Sequence, residues 1–359
     1  MHMADALVSP AVGGAMWVAS GVAVAYSART VRNELDESRI PLMGVAGAFV
    51  FAAQMLNFAI PGTGSSGHIG GALLLAILLG REAAFLVMAS ILGVQALFFA
   101  DGGLLALGCN IFNLGFFPAF VAYPFVYRRL VGDGTALTSG RVFVGALLAA
   151  IVGLGLGAFA VVLETTASGI TELPFGTFVL LMQPIHLTIG VVEGLVTAAV
   201  VLFVYKAQPE LLVRNATGVS LRGVRLKPVL IGLGVAAVVA GAALSWFAAT
   251  SSDGLEWSVA RVAGAGAELS TTSSAHETAA DVQRDTAVLP DYAFRQGDES
   301  AAQGAAGEGA AGEAPAWPAI DPGTSVSGLV GGAIVAGLVI LIGLVLYRRS
   351  ARRRAGARP

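Results

Sequence analysis

The residues best suited to metal chemistry stand at the start of the chain and at position 68. The sequence opens MHMADALVSP, and bulky His2 should keep Met1 in place with its free amine. That amine and the amide nitrogen of His2 close a five-membered chelate ring, and the amide nitrogen with Nδ1 of His2 closes a six-membered one. One planar position then remains for a second imidazole. Displacing an amide proton favours Ni(II) and Cu(II), whereas calcium and magnesium prefer oxygen ligands.

The second imidazole that we expect to reach this position is His68, in the stretch NFAIPGTGSSGHIGG. Its glycines allow tight folding and close approach of another segment. The letters GTGSSGHI nearly match a phosphate-binding loop, but His68 replaces the lysine and Ile69 the hydroxyl residue, so nucleotide binding is rejected. Taken alone, two histidines and a free amine at a membrane surface are more often simple polar groups at the interface than metal ligands.

Other polar residues offer supporting roles. The amide and carboxylate groups near the predicted outer ends of their spans are expected to orient the two histidines by accepting their ring protons; they are Asn57, Gln95, Asp101, Asn110 and Asn113. One face of the seventh apolar stretch carries Gln183, His186, Gly190, Glu193 and Thr197. Hydrogen bonding between helices is the favoured role of that face. We expect packing for Cys109 and solvent exposure for His276.

The composition places these residues in a membrane protein. Of 359 residues, 56% are hydrophobic and 12% are charged, against about 25% charged in soluble domains. The fold class predicted is all-α, a polytopic membrane protein of about nine spans, since apolar runs approach the roughly 20 residues of a crossing helix. The predicted spans are 8–26, 41–60, a short one at 69–80, 83–100, 103–127, 141–164, 177–205, 228–249 and 326–347.

The basic residues fix the predicted orientation. With the N terminus outside and the C terminus cytoplasmic, all Lys and Arg except Arg261, Arg284 and Arg295 fall on the cytoplasmic side, as short basic loops require. Those three lie in a long, acid-rich outer loop. A cleaved signal peptide, with AVA at 23–25 as its site, is the disfavoured alternative because the arginines follow the apolar run instead of preceding it.

Two modules follow from the pattern. Residues 1–210 form a seven-helix bundle, 211–227 a cytoplasmic linker, and 228–348 a module of two spans around a flexible outer loop at 250–325. Residues 349–359 form a basic tail that anchors to anionic lipid. Small residues spaced by four mark one face of the first span and suit close helix packing, within this chain or against a separate subunit; they are Ala11, Ala15, Ala19 and Ala23.

Four blocks in order resemble the substrate-binding M component of energy-coupling-factor importers for cobalt and nickel. They are MHMADALVSP, NFAIPGTGSSGHIGG, QALFFADGGLLALGCNIFNLG and HLTIGVVEGLVTAAVV, within residues 1 to about 210. The later SSDGLEWSVA and LPDYAF resemble the PDGLE module that replaces or accompanies the N subunit, although Ser252 stands at the motif's proline. The chain therefore resembles a fusion of the two.

The resemblance implies that Met1, His2 and His68 capture Ni2+ or Co2+ as transported ligand, with no permanent cofactor. It implies a transmembrane coupling (T) subunit and cytoplasmic ATPase subunits as partners, a prokaryotic inner membrane and a link to cobalamin biosynthesis. The expected role is a transport component, not an enzyme, with no nucleic-acid partner. Two rivals stay open, a stand-alone secondary transporter using His186 and Glu193 and a non-transporting receptor. Planar nitrogen ligation favours nickel slightly.

Overall fold

The apolar runs of the sequence fold as helices, and one short hairpin interrupts them. The computed structural model describes residues 2–34, 36–133, 137–171, 173–263, 273–295 and 317–356. The all-α prediction holds for this part of the chain apart from the hairpin.

The helices and strands follow the chain in a simple order. The N-terminal bundle contains α1 (Pro10–Glu34), α2 (Arg39–Gln54), β1 (Phe58–Ile60), β2 (Ser65–Gly67), α3 (Ala72–Leu79), α4 (Arg81–Phe99), α5 (Leu107–Val131), α6 (Ser139–Ser168), α7 (Phe175–Ala207) and α8 (Pro209–Thr217). The second module contains α9 (Lys227–Ala242), α10 (Gly254–Ala263), α11 (Ser274–Thr286) and α12 (Pro322–Gly356). Short 3-10 turns lie at Asp5–Leu7, Leu244–Phe247 and Pro290–Tyr292. The central part of α5, Phe112–Tyr127, has π-helical hydrogen bonding.

Six described helices are long and apolar enough to cross a membrane, namely α1, α4, α5, α6, α7 and α12. Two shorter apolar helices, α2 and α9, have 16 residues each. The third predicted span forms only the 8-residue α3, and every residue of α3 is buried. Because a bilayer crossing needs about 20 helical residues, α3 is an internal helix of the bundle.

The second predicted span, 41–60, extends beyond the C-terminal end of the observed helix. Helix α2 stops at Gln54, and Phe58 to Ile60 pair antiparallel with Ser65 to Gly67. Gly62 and Gly64 take positive φ values of 79° in the connecting turn, a conformation that glycine adopts without strain. The hydrophobicity of the run did not distinguish helix from hairpin.

The second module packs against α2. Helices α9 and α12 both contact α2, and they meet each other where Gly241 lies against the backbone of Gly328. Glycines at a crossing of two apolar helices allow their backbones to approach, which is the usual device inside membranes.

The segment 250–325, predicted as a flexible outer loop, contains regular secondary structure in its described parts. Its described parts include α10, α11 and a 3-10 turn, which lie on the end of the bundle that holds the N terminus. Polar side chains of these elements bind backbone groups of the bundle, which explains why a polar segment is ordered there. The tether predicted from ESAAQGAAGEGAAGEAPAWP lies almost entirely outside the described residues.

Candidate metal site

The N-terminal segment is held inside the end of the bundle. Met3 is fully buried, its backbone N–H donates to Oδ1 of Asn110 at 2.7 Å, and its carbonyl accepts from Nδ2 of Asn110 at 3.2 Å. The same carbonyl accepts from the backbone N–H of Gly103 at 2.8 Å. Chain termini are usually poorly ordered unless they are tied down in this way, so Asn110 fixes where residue 2 lies.

His276, in α11 of the second module, also binds the backbone of this N-terminal segment. Its Nε2 donates to the carbonyls of Val8, at 2.9 Å, and Asp5, at 3.1 Å, and its Nδ1 accepts from the hydroxyl of Ser273 at 2.7 Å. His276 is 5% exposed, so the prediction that it is solvated is wrong. Its two contacts with the N-terminal segment come from residues more than 260 positions away, which its polar sequence neighbours do not reveal.

The hairpin places His68 beside this segment. Strand β2 passes so close to α7 that a Cβ on Gly67 would lie 2.6 Å from Cδ1 of Ile189, so a larger residue there would require the Ile189 side chain to shift. After His68, the backbone N–H groups of Gly70 and Gly71 donate to the carboxylate of Glu193 at 2.7 and 3.1 Å. Glu193 therefore positions the polypeptide around His68 instead of pointing into an open pathway.

The two histidines lie side by side. The ring centroids of His2 and His68 are 5.1 Å apart, and their planes differ by 20°. Nδ1 of His68 donates to the carbonyl of Ile69 at 3.0 Å, which leaves Nε2 as the unprotonated nitrogen. Burial lowers the pKa of His68 to about 4, with the charge on His2 as a further cause. A neutral imidazole is the form that binds a metal ion. Met1, the third predicted ligand, lies outside the described residues.

Asp101 contacts His2 directly. Its Oδ1 lies 2.9 Å from Nδ1 of His2, while its Oδ2 accepts from the hydroxyl of Tyr292 at 2.5 Å. Burial alone raises the pKa of this carboxyl, but His2 and Tyr292 outweigh burial and hold the pKa well below its usual range. Nε2 of His2 is buried without a hydrogen-bond partner among the described residues.

The chelate predicted from the sequence uses Nδ1 of His2, the atom that faces Asp101 in the structure. Formation of that chelate requires the imidazole to leave Asp101 and turn. The described residues contain no group of three or more His, Cys, Asp or Glu side chains arranged to hold a metal. A site here therefore depends on nitrogen atoms of the terminal backbone in addition to the two imidazoles.

The other predicted orienting residues act indirectly. Nε2 of Gln95 donates to Gln54 at 2.9 Å, and Gln54 donates to the carbonyl of Gly70 at 2.8 Å, so Gln95 supports the His68 segment through Gln54. Asn113 donates to Glu164 at 2.7 Å and contacts the sulfur of Met3. The backbone carbonyl of Asn57 accepts a hydrogen bond from the backbone N–H of Ala249. Among these predicted orienting residues, Asp101 is the one with a polar contact to a histidine ring in the described part of the chain.

A cavity of about 840 Å³ opens beside the histidines. Its described lining includes His2, His68 and His276 and seven carboxylates, contributed mainly by the second module: Asp5, Asp101, Asp253, Glu256, Glu277, Asp291 and Asp321. No described Lys or Arg lines it. Low-dielectric walls concentrate the field of such groups, so this cavity attracts cations.

On the polar face of α7, Gln183 makes the predicted hydrogen bond to another helix, whereas His186 bonds within its own helix. Gln183 donates to the carbonyl of Gly155 on α6 at 3.3 Å, and Nδ1 of His186 donates to Met182 at 2.8 Å. Thr197 is buried, and Gly190 packs on the backbone of Ile151.

The alanine face of α1 behaves differently from the packing expectation. Ala11 and Ala15 are exposed, and Ala19 and Ala23 are partly buried. Helix α1 packs into the chain mainly through another face, where Gly13, Ser20, Ser27 and Val31 are buried. Packing within the chain is therefore wrong for Ala11 and Ala15. Cys109 is free and buried, as expected of a packing residue.

Three residues that position the site were missed in the sequence. Tyr292 lies in LPDYAF, a block already singled out by its resemblance, and its hydroxyl reaches Asp101. Gln283 donates to the carbonyls of Ala96 and Gly102 at 2.9 and 2.7 Å. Gln54 offered a signal, because a glutamine within an apolar helix usually has a buried partner.

Comparisons with known proteins agree with both halves of this description. Residues 2–211 match the family described as cobalt uptake substrate-specific transmembrane region, CbiM, and residues 227–348 match the PDGLE domain. The fused nickel transport protein NikMN of Rhodobacter capsulatus is 34% identical over 63% of this chain and 68% of its own length. The cobalt transport protein CbiM of Sorangium cellulosum is 31% identical over 64% of this chain and 99% of its own length.

A solved structure resembles the N-terminal bundle as well. The crystal structure of a truncated transition metal transporter is 30% identical, with a TM-score of 0.51, and covers 58% of this chain and 99% of that chain. The chain therefore belongs to the CbiM family of metal transport components and carries a PDGLE domain at its C-terminal side.

Proposed function

We propose that this chain is the substrate-specificity component of an energy-coupling-factor importer and captures Ni2+ or Co2+ at the outer face of a prokaryotic inner membrane. The observation that carries the proposal is the side-by-side placement of His2 and His68, with ring centroids 5.1 Å apart, next to the chain terminus. The relatives named for nickel and cobalt transport support this substrate class.

The ligands in this proposal are Met1, through its amine, His2, through its amide and imidazole nitrogens, and His68. Loading displaces protons from the amine and the amide. The His2 imidazole turns from Asp101 to the ion, and the Asp101 carboxylate remains nearby to balance the charge of the dication. Planar nitrogen ligation favours nickel slightly over cobalt.

Energy for transport comes from other proteins in this proposal. A transmembrane coupling subunit docks on the bundle, and cytoplasmic ATPases drive the reorientation that releases the ion inside. The exposed Ala11 and Ala15 on α1 offer a surface for the coupling subunit, since small residues permit close helix contact in a membrane. The carboxylates that the PDGLE domain contributes to the cavity beside the histidines raise the local concentration of the cation there.

The test is one residue added ahead of Met1 in the full-length chain. The extension moves the free amine one residue away from His2, so the amine, two amide nitrogens and the His2 imidazole can fill the plane from one strand and His68 is no longer a ligand. Ni2+ uptake by cells that contain the partner subunits should therefore be lost while membrane insertion remains. The matched control adds the same residue after Pro359, and this control should transport normally. Normal uptake by the N-terminally extended chain would refute the proposed ligand set.

A further inference from the structure

Three arginines converge on one cavity at the end of the bundle opposite the histidines. The cavity of about 460 Å³ lies between the first and last long helices and is lined by Ala25, Ala28, Arg29, Arg32, Leu346 and Arg349. Arg29 and Arg32 belong to α1, and Arg349 belongs to α12. No acidic side chain is among these lining residues.

These guanidinium groups differ from others at the same end of the molecule. Arg39 lies beside Asp36, Arg81 bonds to Glu82, and Arg214 bonds to Glu210. Within the described residues, the three arginines of the cavity have neither an ion pair nor a side-chain hydrogen bond.

Arg32 adds a further observation, because its Nε is buried and has no hydrogen-bond partner among the described residues. The same holds for Nε of Arg39, but Arg39 lies beside the carboxylate of Asp36. A buried donor left without a partner is destabilising, and more so when the group is charged. Like charges gathered around one cavity also repel one another. A single anion between the two helices would relieve both effects.

The exposed faces of α1 and α12 next to the cavity indicate which class of molecule carries that anion. On α1, positions 18, 22, 25, 29 and 32 share one helical face, because residues three and four apart lie above one another. Val18 and Val22 on this face are 67% and 65% exposed. On α12, Leu338 and Val345 share the face of Arg349 and are 36% and 41% exposed. Apolar helix faces that end in arginines match acyl chains that end in a charged headgroup.

We propose that Arg29, Arg32 and Arg349 form a binding site for the phosphodiester headgroup of an anionic phospholipid, whose acyl chains lie along the exposed faces of α1 and α12. Guanidinium groups bind phosphate oxygens through paired, charge-assisted hydrogen bonds. The lipid joins the first helix of the bundle to the last helix of the PDGLE domain. This site is independent of the proposed metal chemistry.

The test compares lipid binding by purified full-length protein in detergent, measured by native mass spectrometry and by thermal melting. The double variant Arg32→Gln, Arg349→Gln should bind phosphatidylglycerol about thirtyfold more weakly than the wild type, if each arginine contributes as surface arginines do near anionic lipid. The control Arg141→Gln, Arg225→Gln removes the same charge outside the cavity and should bind as the wild type does. Phosphatidylcholine should show no difference among the three proteins.

Several outcomes would overturn the inference. Equal weakening in both double variants would show a general charge effect, and protection by inorganic phosphate equal to that by phosphatidylglycerol would assign the site to free phosphate. Unchanged lipid binding in the cavity variant, with loss of a co-purifying partner subunit, would assign the arginines to protein docking. If the double variant does not fold, Arg349→Gln alone changes an exposed residue, and it should weaken phosphatidylglycerol binding about fivefold.

Discussion

Replacing Asn110 by alanine tests whether the docked N terminus is required for metal capture. The side chain makes two buried hydrogen bonds to the backbone of Met3, at 2.7 and 3.2 Å, and Asn110 itself is 1% exposed. A net contribution of about 1 kcal/mol for each bond gives about 2 kcal/mol of docking free energy. If the ion binds only the docked terminus, apparent affinity falls with the docked fraction, by up to about thirtyfold.

The measurement is isothermal titration of Ni(II) into purified full-length protein at fixed pH. Asn215→Ala is the matched control because Nδ2 of Asn215 donates to the carbonyl of Ile77 at 2.7 Å in a buried position far from the histidines. Both variants should lower the melting temperature, whereas only Asn110→Ala should weaken Ni(II) binding. An Asn110→Ala affinity within threefold of the wild type, in a folded protein, would refute the docking argument.

Three further predictions address the same end of the molecule. Asp101→Asn removes the carboxylate that balances the charge of the proposed dication and should weaken Ni(II) binding about tenfold, or about 1.4 kcal/mol. Tyr292→Phe removes one hydrogen bond to Asp101 and keeps its charge, so it should weaken binding only a few fold; titration calorimetry measures both. Because burial lowers the pKa of His68 from 6.5 to about 4, the unfolded chain takes up this proton first as pH falls, so stability is present above pH 6.5 and declines towards pH 4. Between pH 7 and 5 the wild type should lose about 2 kcal/mol more than His68→Gln in denaturant titrations. His276→Ala should speed proteolysis of the N-terminal segment without changing the folding of the bundle, and unchanged cleavage would contradict the role assigned to His276.

The architecture was predictable from the sequence wherever one physical signal dominated. Long apolar runs predicted α4, α6 and α7 closely, because a run of that length in a weakly charged chain has few alternatives to a crossing helix. The same signal failed at Phe58–Ile60, where an apolar stretch pairs as a strand with Ser65–Gly67. Hydropathy reports burial and does not report which backbone partners a buried segment uses.

The approach of the two imidazoles was predictable from the sequence, whereas the orientation of their ring nitrogens was not. His2 and His68 were grouped because their segments were expected on one side of the membrane, and the structure brings their rings together. That Nδ1 of His2 faces Asp101 depends on a side-chain rotation that no spacing encodes. The burial of His276 likewise comes from the packing of the second module on the first.

The contacts around residues 3 to 8 bear on the proposed use of the chain terminus as a metal ligand. Fixing a residue's backbone costs about 1–2 kcal/mol, so ordering this segment at the moment of binding would consume on the order of 10 kcal/mol of the metal's affinity. Asn110, Gly103 and His276 bind its backbone through hydrogen bonds that do not involve the ion. The ordering free energy is then met by folding instead of by the ion, and the covalently linked PDGLE domain supplies one of those contacts.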